Sequence, residues 1–106
     1  MNPGTIETFD LALPHGITLS CRAAGAPGAP LLVFLHGFPE GAFVWDELLA
    51  HFAPRYRCIA PNLRGFERSS SPVEVEAYRA KHLVADIRAL IASQGGRAAA
   101  LVAHDW

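Results

Sequence analysis

The chain runs on two hydrophobic rhythms. Residues 5–13 alternate loosely, with Ile6, Phe9, Leu11 and Leu13 apolar, and residues 17–22 alternate again through Ile17, Leu19 and Cys21. Alternation turns one face of a strand toward a core and the other toward water. Pro14-His15-Gly16 separates the two runs with turn chemistry, so the pair predicts an antiparallel hairpin. A Gly/Pro/Ala loop covers residues 24–30, and residues 31–35 are then unbroken Leu, Val and Phe. Such a run reads as a strand buried on both faces. Residues 43–52 change the period. Val44, Trp45, Leu48, Leu49 and Phe52 share one helical face, and Pro54 ends the helix. Residues 56–60 form a further strand with 61–65 as its exit loop. Ser69-Ser70-Ser71-Pro72 is a loop that offers a helix cap. Residues 75–93 carry the longest helical pattern, with Leu83, Ile87, Leu90 and Ile91 on one face, and Gly95-Gly96 terminates it. The apolar run 98–103 reads as another buried parallel strand. A hairpin followed by strands alternating with helices predicts an α/β fold: a parallel sheet with right-handed crossovers.

Composition narrows the function without choosing it. The chain has 106 residues, 51% of them hydrophobic, which suffices for one domain with a core. A formal charge of −1, with Lys and Arg scattered, gives no electrostatic case for nucleic acid or an anionic membrane. No apolar stretch approaches the roughly 20 residues of a spanning helix. Met1-Asn2-Pro3-Gly4 lacks the basic and apolar regions of a signal peptide. Cys21 and Cys58 sit in strand-like contexts without metal or C-x-x-C spacing. They read as small buried hydrophobes in a reduced, cytoplasmic protein.

The chemistry concentrates where two apolar runs stop. The run 31–35 ends on His36-Gly37-Phe38-Pro39, and the run 98–103 ends on His104-Asp105-Trp106. Open α/β sheets place their sites at the carboxyl ends of strands, so the two tips predict one composite site. A carboxylate there can serve as a nucleophile. By position alone, Asp105 is equally well a helix N-cap. Gly37 permits a sharp turn. Pro39 is read as fixing the loop, and the sequence does not show whether its bond is cis. Arg64 reads as holding its loop by hydrogen bonds. Trp45 reads as core. Glu40, Arg68, His51 and His82 read as surface or helix residues without a role, and His15 as a turn residue.

Three segments taken together, His36-Gly37-Phe38-Pro39, Asn62-Leu63-Arg64-Gly65-Phe66-Glu67-Arg68-Ser69 and Val102-Ala103-His104-Asp105-Trp106, resemble the α/β-hydrolase fold. Within it they look most like the epoxide hydrolase branch, as does the stretch 71–78. Each motif alone is weak, and their order and spacing together are specific. The resemblance covers the chain from about the first hairpin to its end, but only the N-terminal part of the family's length. It implies that residues 1–106 are the N-terminal part of a hydrolase core domain, with the cap and C-terminal core outside this chain. It also implies that Asp105 is the nucleophile on the strained elbow after a strand. The backbone N–H groups of Phe38 and Trp106 would form the oxyanion hole. His36, Gly37, Pro39 and His104 would support the site loops, with His36 bracing the loop and not acting as base. No metal or organic cofactor is implied. The catalytic His, its orienting acid and the cap tyrosines would lie further along the chain. Two positions depart from the family pattern: Asn62 stands where Asp is usual, and Glu67 where Gly is common.

The implied substrate is a small apolar molecule, an epoxide or an organohalide. Haloalkane dehalogenases share a Trp after the nucleophile but commonly carry Asn where Phe38 stands, and Phe38 has no side-chain donor. Haloacetate dehalogenases tend to have Arg where Trp106 stands. A reading of a different class is a non-catalytic fragment or ligand-binding homologue, which would hold for a chain complete at 106 residues.

Overall fold

The computed structural model describes residues 5–104. Its five strands form one mixed sheet. The hairpin comes first: β1 (Glu7–Ala12) pairs antiparallel with β2 (Thr18–Ala24), with Phe9 opposite Cys21 and Leu11 opposite Leu19. Gly16 closes the turn at φ +88°, a conformation that costs an L side chain dearly. The remaining strands are β3 (Leu31–Leu35), β4 (Arg57–Pro61) and β5 (Ala100–Ala103). The order across the sheet is β1-β2-β4-β3-β5. β2 meets β4 antiparallel, whereas β3 is parallel to both β4 and β5. The expected parallel sheet is therefore present, with an antiparallel hairpin sewn to one side.

Two helices cover opposite faces. α1 (Asp46–Phe52) connects β3 to β4, and its Leu49 packs with Leu32, Phe34, Cys58 and Ala60. α2 (Ala80–Ser93) connects β4 to β5, and its Ile87 and Leu90 pack with Leu19, Cys21, Leu31, Val33 and Ile59. Alternate residues of β3 thus enter alternate cores, as two-sided burial requires. Each fully buried Leu or Ile contributes on the order of 1.5–3 kcal/mol.

Three readings need correction. The first helix buries only part of the face predicted for it: Leu49, with Trp45 and Phe52 packed beside it. A 3₁₀ turn over Ala42–Trp45 precedes α1 and shifts the phase, so Val44 and Leu48 stay exposed while Leu49 is buried. The pattern over 75–93 is likewise two pieces, a 3₁₀ turn at Val75–Tyr78 and α2, separated by an extended Arg79. The serines of 69–71 cap neither piece: Ser69 and Ser70 bind β2, as described below, and Ser71 Oγ donates to the Ser69 carbonyl. The last apolar run is a strand parallel to β3, as read, but among the described residues it is an edge and its side chains are exposed. All four residues of β5 are exposed because, among the described residues, only β3 pairs with it.

Cys21 and Cys58 are free and buried, as read. Burial pushes the Cys21 thiol up to about 12 and the Cys58 thiol up to about 11. Thiolate is the reactive form, so both should resist iodoacetamide at pH 8 in the native protein and react on denaturation. Mass spectrometry before and after addition of guanidinium checks this, and alkylation of the native state at either position would contradict it.

Candidate active site

The site lies at the carboxyl edge of the sheet, where the ends of β4, β3 and β5 sit side by side. Leu35 pairs with Ala103, and the His104 N–H donates to the Leu35 carbonyl at 3.1 Å. His104, the described member of the second polar cluster, therefore lies beside the tip of β3. The chain leaves β3 toward β4 on one side, and β5 lies on the other. This reversal opens the crevice in which open α/β sheets bind ligands.

The loop after β3 is held from several directions. His36 is 1% exposed. Its Nε2 accepts the Leu63 N–H at 3.0 Å, so Nδ1 carries the proton and donates to the Gly37 carbonyl at 3.0 Å. The ring also lies edge-on to Phe66, with centroids 4.7 Å apart. The Glu40 N–H donates to the same Gly37 carbonyl at 2.9 Å and closes a turn whose central bond, Phe38-Pro39, is cis. The Gly37 carbonyl and the Phe38 N–H belong to one trans peptide plane and point in opposite directions. Two hydrogen bonds to that oxygen consequently fix the direction of the Phe38 N–H. The Phe38 side chain is 60% exposed and edge-on to Phe66 at 6.2 Å. An apolar pocket of about 320 Å³ opens beside it, walled by Phe66, Tyr78 and Leu83.

Glu40, read from sequence as a surface residue without a role, joins the two tips. Its Oε1 accepts the Gly37 N–H and lies 3.3 Å from His104 Nδ1. His104 is largely exposed there, so the contact is a weak one. Asp105 and Trp106 lie outside the described residues.

The loop after β4 is stitched to β2 by neutral polar groups. Asn62 Oδ1 accepts the Ala42 N–H at 2.7 Å, and Nδ2 donates to the Ser20 hydroxyl at 2.9 Å and the Ser20 carbonyl at 3.2 Å. A carboxylate could not donate to that carbonyl, which gives the Asn a physical reason in this chain. Ser69 Oγ accepts the Ser20 N–H at 2.9 Å and donates to the Asn62 carbonyl at 2.5 Å. Ser70 Oγ accepts the Thr18 N–H at 2.9 Å.

Arg64 holds the loop, as its reading proposed, and the partners that make this possible went unnoticed in the sequence. Nε and Nη2 donate to Asp86 Oδ2 and Oδ1 at 2.7 and 2.6 Å, and Nη1 donates to the Ala77 carbonyl at 2.8 Å. His15 Nε2 reaches the same Asp86 Oδ1 at 2.8 Å. The hydrogen-bonded carboxylate holds the Arg64 guanidinium above its ordinary range. The available signal was an Asp on the apolar stripe of a helix, between Leu83 and Leu90. Among the described residues, no group of three or more His, Cys, Asp or Glu side chains is placed to hold a metal ion. Nor, among them, is any helix long and apolar enough to cross a membrane.

The mixed sheet, its two flanking helices and the neighbouring strand ends are those of the α/β-hydrolase fold, and the comparisons agree. A family model described as alpha/beta hydrolase fold matches residues 30–106, and the chain belongs to that family. It is 40% identical over 91 residues to epoxide hydrolase 4 of Mus musculus, a match covering 86% of this chain and 25% of that protein. It is also 40% identical over 93 residues to epoxide hydrolase A of Mycobacterium tuberculosis, covering 87% and 29%. Among solved structures, epoxide hydrolase A of Mycobacterium thermoresistibile superimposes with a TM-score of 0.90 at 36% identity, covering 96% of this chain and 32% of that one. An epoxide hydrolase of Vigna radiata gives 0.87 at 40% identity, covering 95% and 32%. The chain thus spans between a quarter and a third of the length of these relatives.

Glu67 occupies the position noted as common for Gly, and its φ is +48°. A side chain there carries a steric cost of about 1 kcal/mol. Glu67→Gly should therefore raise the stability of the full-length protein by up to about 1 kcal/mol. A urea unfolding midpoint that stays put or falls would contradict that reading of the backbone.

Proposed function

We propose that this chain is the N-terminal part of the core domain of an epoxide hydrolase that works through Asp105. The observation that carries the reading is the meeting of the β3 and β5 tips: a rigidly held Gly37–Phe38 peptide stands beside the strand that leads into His104-Asp105-Trp106. The relatives named as epoxide hydrolases support the reaction class.

An ionised carboxylate needs no base in order to attack, because an unperturbed Asp titrates near about 4. One Asp105 oxygen forms a bond to an epoxide carbon while the C–O bond of the ring breaks. The released oxygen takes a proton from an acid supplied elsewhere in the protein. This leaves an ester between substrate and Asp105. Water, deprotonated by a downstream His, then attacks the carbonyl carbon of that ester. Negative charge develops on the carbonyl oxygen and is met by the backbone N–H groups of Phe38 and Trp106. Collapse breaks the acyl C–O bond, releases the diol and restores the carboxylate. His36, Gly37, Pro39 and His104 shape the loops, and the family's triad order leaves none of the present His residues as the base. The substrate is a small apolar molecule, in keeping with the apolar pocket beside Phe38. Phe38 offers no side-chain donor for a leaving halide.

The test is the intact mass of the acid-quenched, full-length protein after brief exposure to a reactive aryl epoxide. An adduct equal to the epoxide should appear on Asp105. Asp105→Ala should lose both adduct and turnover while keeping the native circular dichroism spectrum. Wild-type turnover in that variant would sink the assignment, as would an adduct on another residue. Halide release from an organohalide at a comparable rate would move the protein to the dehalogenase class.

A further inference from the structure

We infer that Asp86, acting through Arg64, is a positioning residue for the oxyanion loop. The inference rests on the epoxide hydrolase reading and adds to it a group far from the reacting atoms.

Asp86 lies on the buried face of α2 at 2% exposure, and Arg64 at 5%. All three guanidinium nitrogens are engaged: two bonds go to the carboxylate and one to the Ala77 carbonyl. It cannot swing or slide without breaking several bonds at once. A planar fork on a carboxylate fixes orientation as well as distance. The backbone that bears this side chain is the element on which the oxyanion loop leans. The Leu63 N–H, next in the chain, supplies the hydrogen bond to His36 Nε2. Phe66, whose N–H closes back on the Leu63 carbonyl at 2.9 Å, supports the ring of the same His. His36 then grips the Gly37 carbonyl, which shares its peptide plane with the Phe38 N–H. An unbroken series of short contacts therefore runs from α2 to the donor that would meet the oxyanion.

Stability alone is a poor reason for the pair. Desolvating two charges costs several kcal/mol, and well-packed apolar residues often replace a buried ion pair without loss. Orientation is what a bidentate pair adds. The donor it orients matters unequally in the two chemical steps. Charge builds on the ester oxygen during hydrolysis, whereas it leaves the carboxylate during ester formation. Misaiming the Phe38 N–H should therefore slow hydrolysis of the ester and spare its formation.

Rapid mixing of the full-length protein with an aryl epoxide, acid quenching and mass spectrometry give the two rates separately. In Asp86→Asn, ester formation should stay within about threefold of wild type and hydrolysis should fall about tenfold or more, so that ester accumulates at steady state. Arg64→Lys keeps the charge but loses the fork; it should show the same imbalance and carries the test if Asp86→Asn fails to fold. Equal slowing of both steps, or no slowing, in a folded variant would overturn the positioning role. Absence of any ester in the wild-type protein would instead overturn the reading on which it rests.

Discussion

Everything at the carboxyl edge depends on β3 being paired on both sides. Its register with β4 and with β5 brings three strand ends to one level, and none of the contacts between the loops exists without that alignment. Two-sided pairing also makes β3 the strand through which both cores are joined, since Val33 faces α2 while Phe34 faces α1. A slip of one residue would exchange these faces and carry His36 away from Leu63. Packing and site geometry are therefore set by one register.

Above the sheet, the chain replaces apolar packing with buried hydrogen bonds. The exit loop of β4 has few large side chains to bury, and Asn62, Ser69 and Ser20 satisfy one another and the local backbone instead. Such networks hold a unique arrangement only when every member is satisfied, and here each buried side chain of the loop has named partners. The proposed function would give a reason for building a loop this way. An apolar cluster tolerates small rearrangements, while a hydrogen-bonded one fixes the direction of each peptide, and a peptide N–H is what an oxyanion requires.

Much of this was legible in the sequence, and the gaps have specific causes. The strands and their order along the chain followed from runs that either alternate or stay apolar, and the neighbouring ends of β3 and β5 followed from where two such runs stop. Helix faces were less legible, because a 3₁₀ turn before α1 moves Val44 and Leu48 off the stripe that a regular helix would bury. Glu40 and His15 were invisible because their partners are distant in sequence: Glu40 meets His104, and His15 meets Asp86. Asp86 left a trace, a carboxylate on an apolar stripe, and such a residue is best read as a demand for a buried cation. Glu67 left another, a departure from a Gly position that the backbone confirms with its left-handed φ.

The polar links of the site differ in what surrounds them. The Asn62–Ser20–Ser69 set is uncharged, so dissolved ions have nothing in it to screen. Arg64 and Asp86 are charged but enclosed, where counterions scarcely penetrate. The Glu40–His104 and His15–Asp86 contacts are ionisable, and solvent reaches the imidazole in both. The enclosed and uncharged links under the loop after β3 are thereby insulated from ionic strength. Among the described residues, salt reaches these links at the seam between the tips of β3 and β5 and at the His15 end of Asp86.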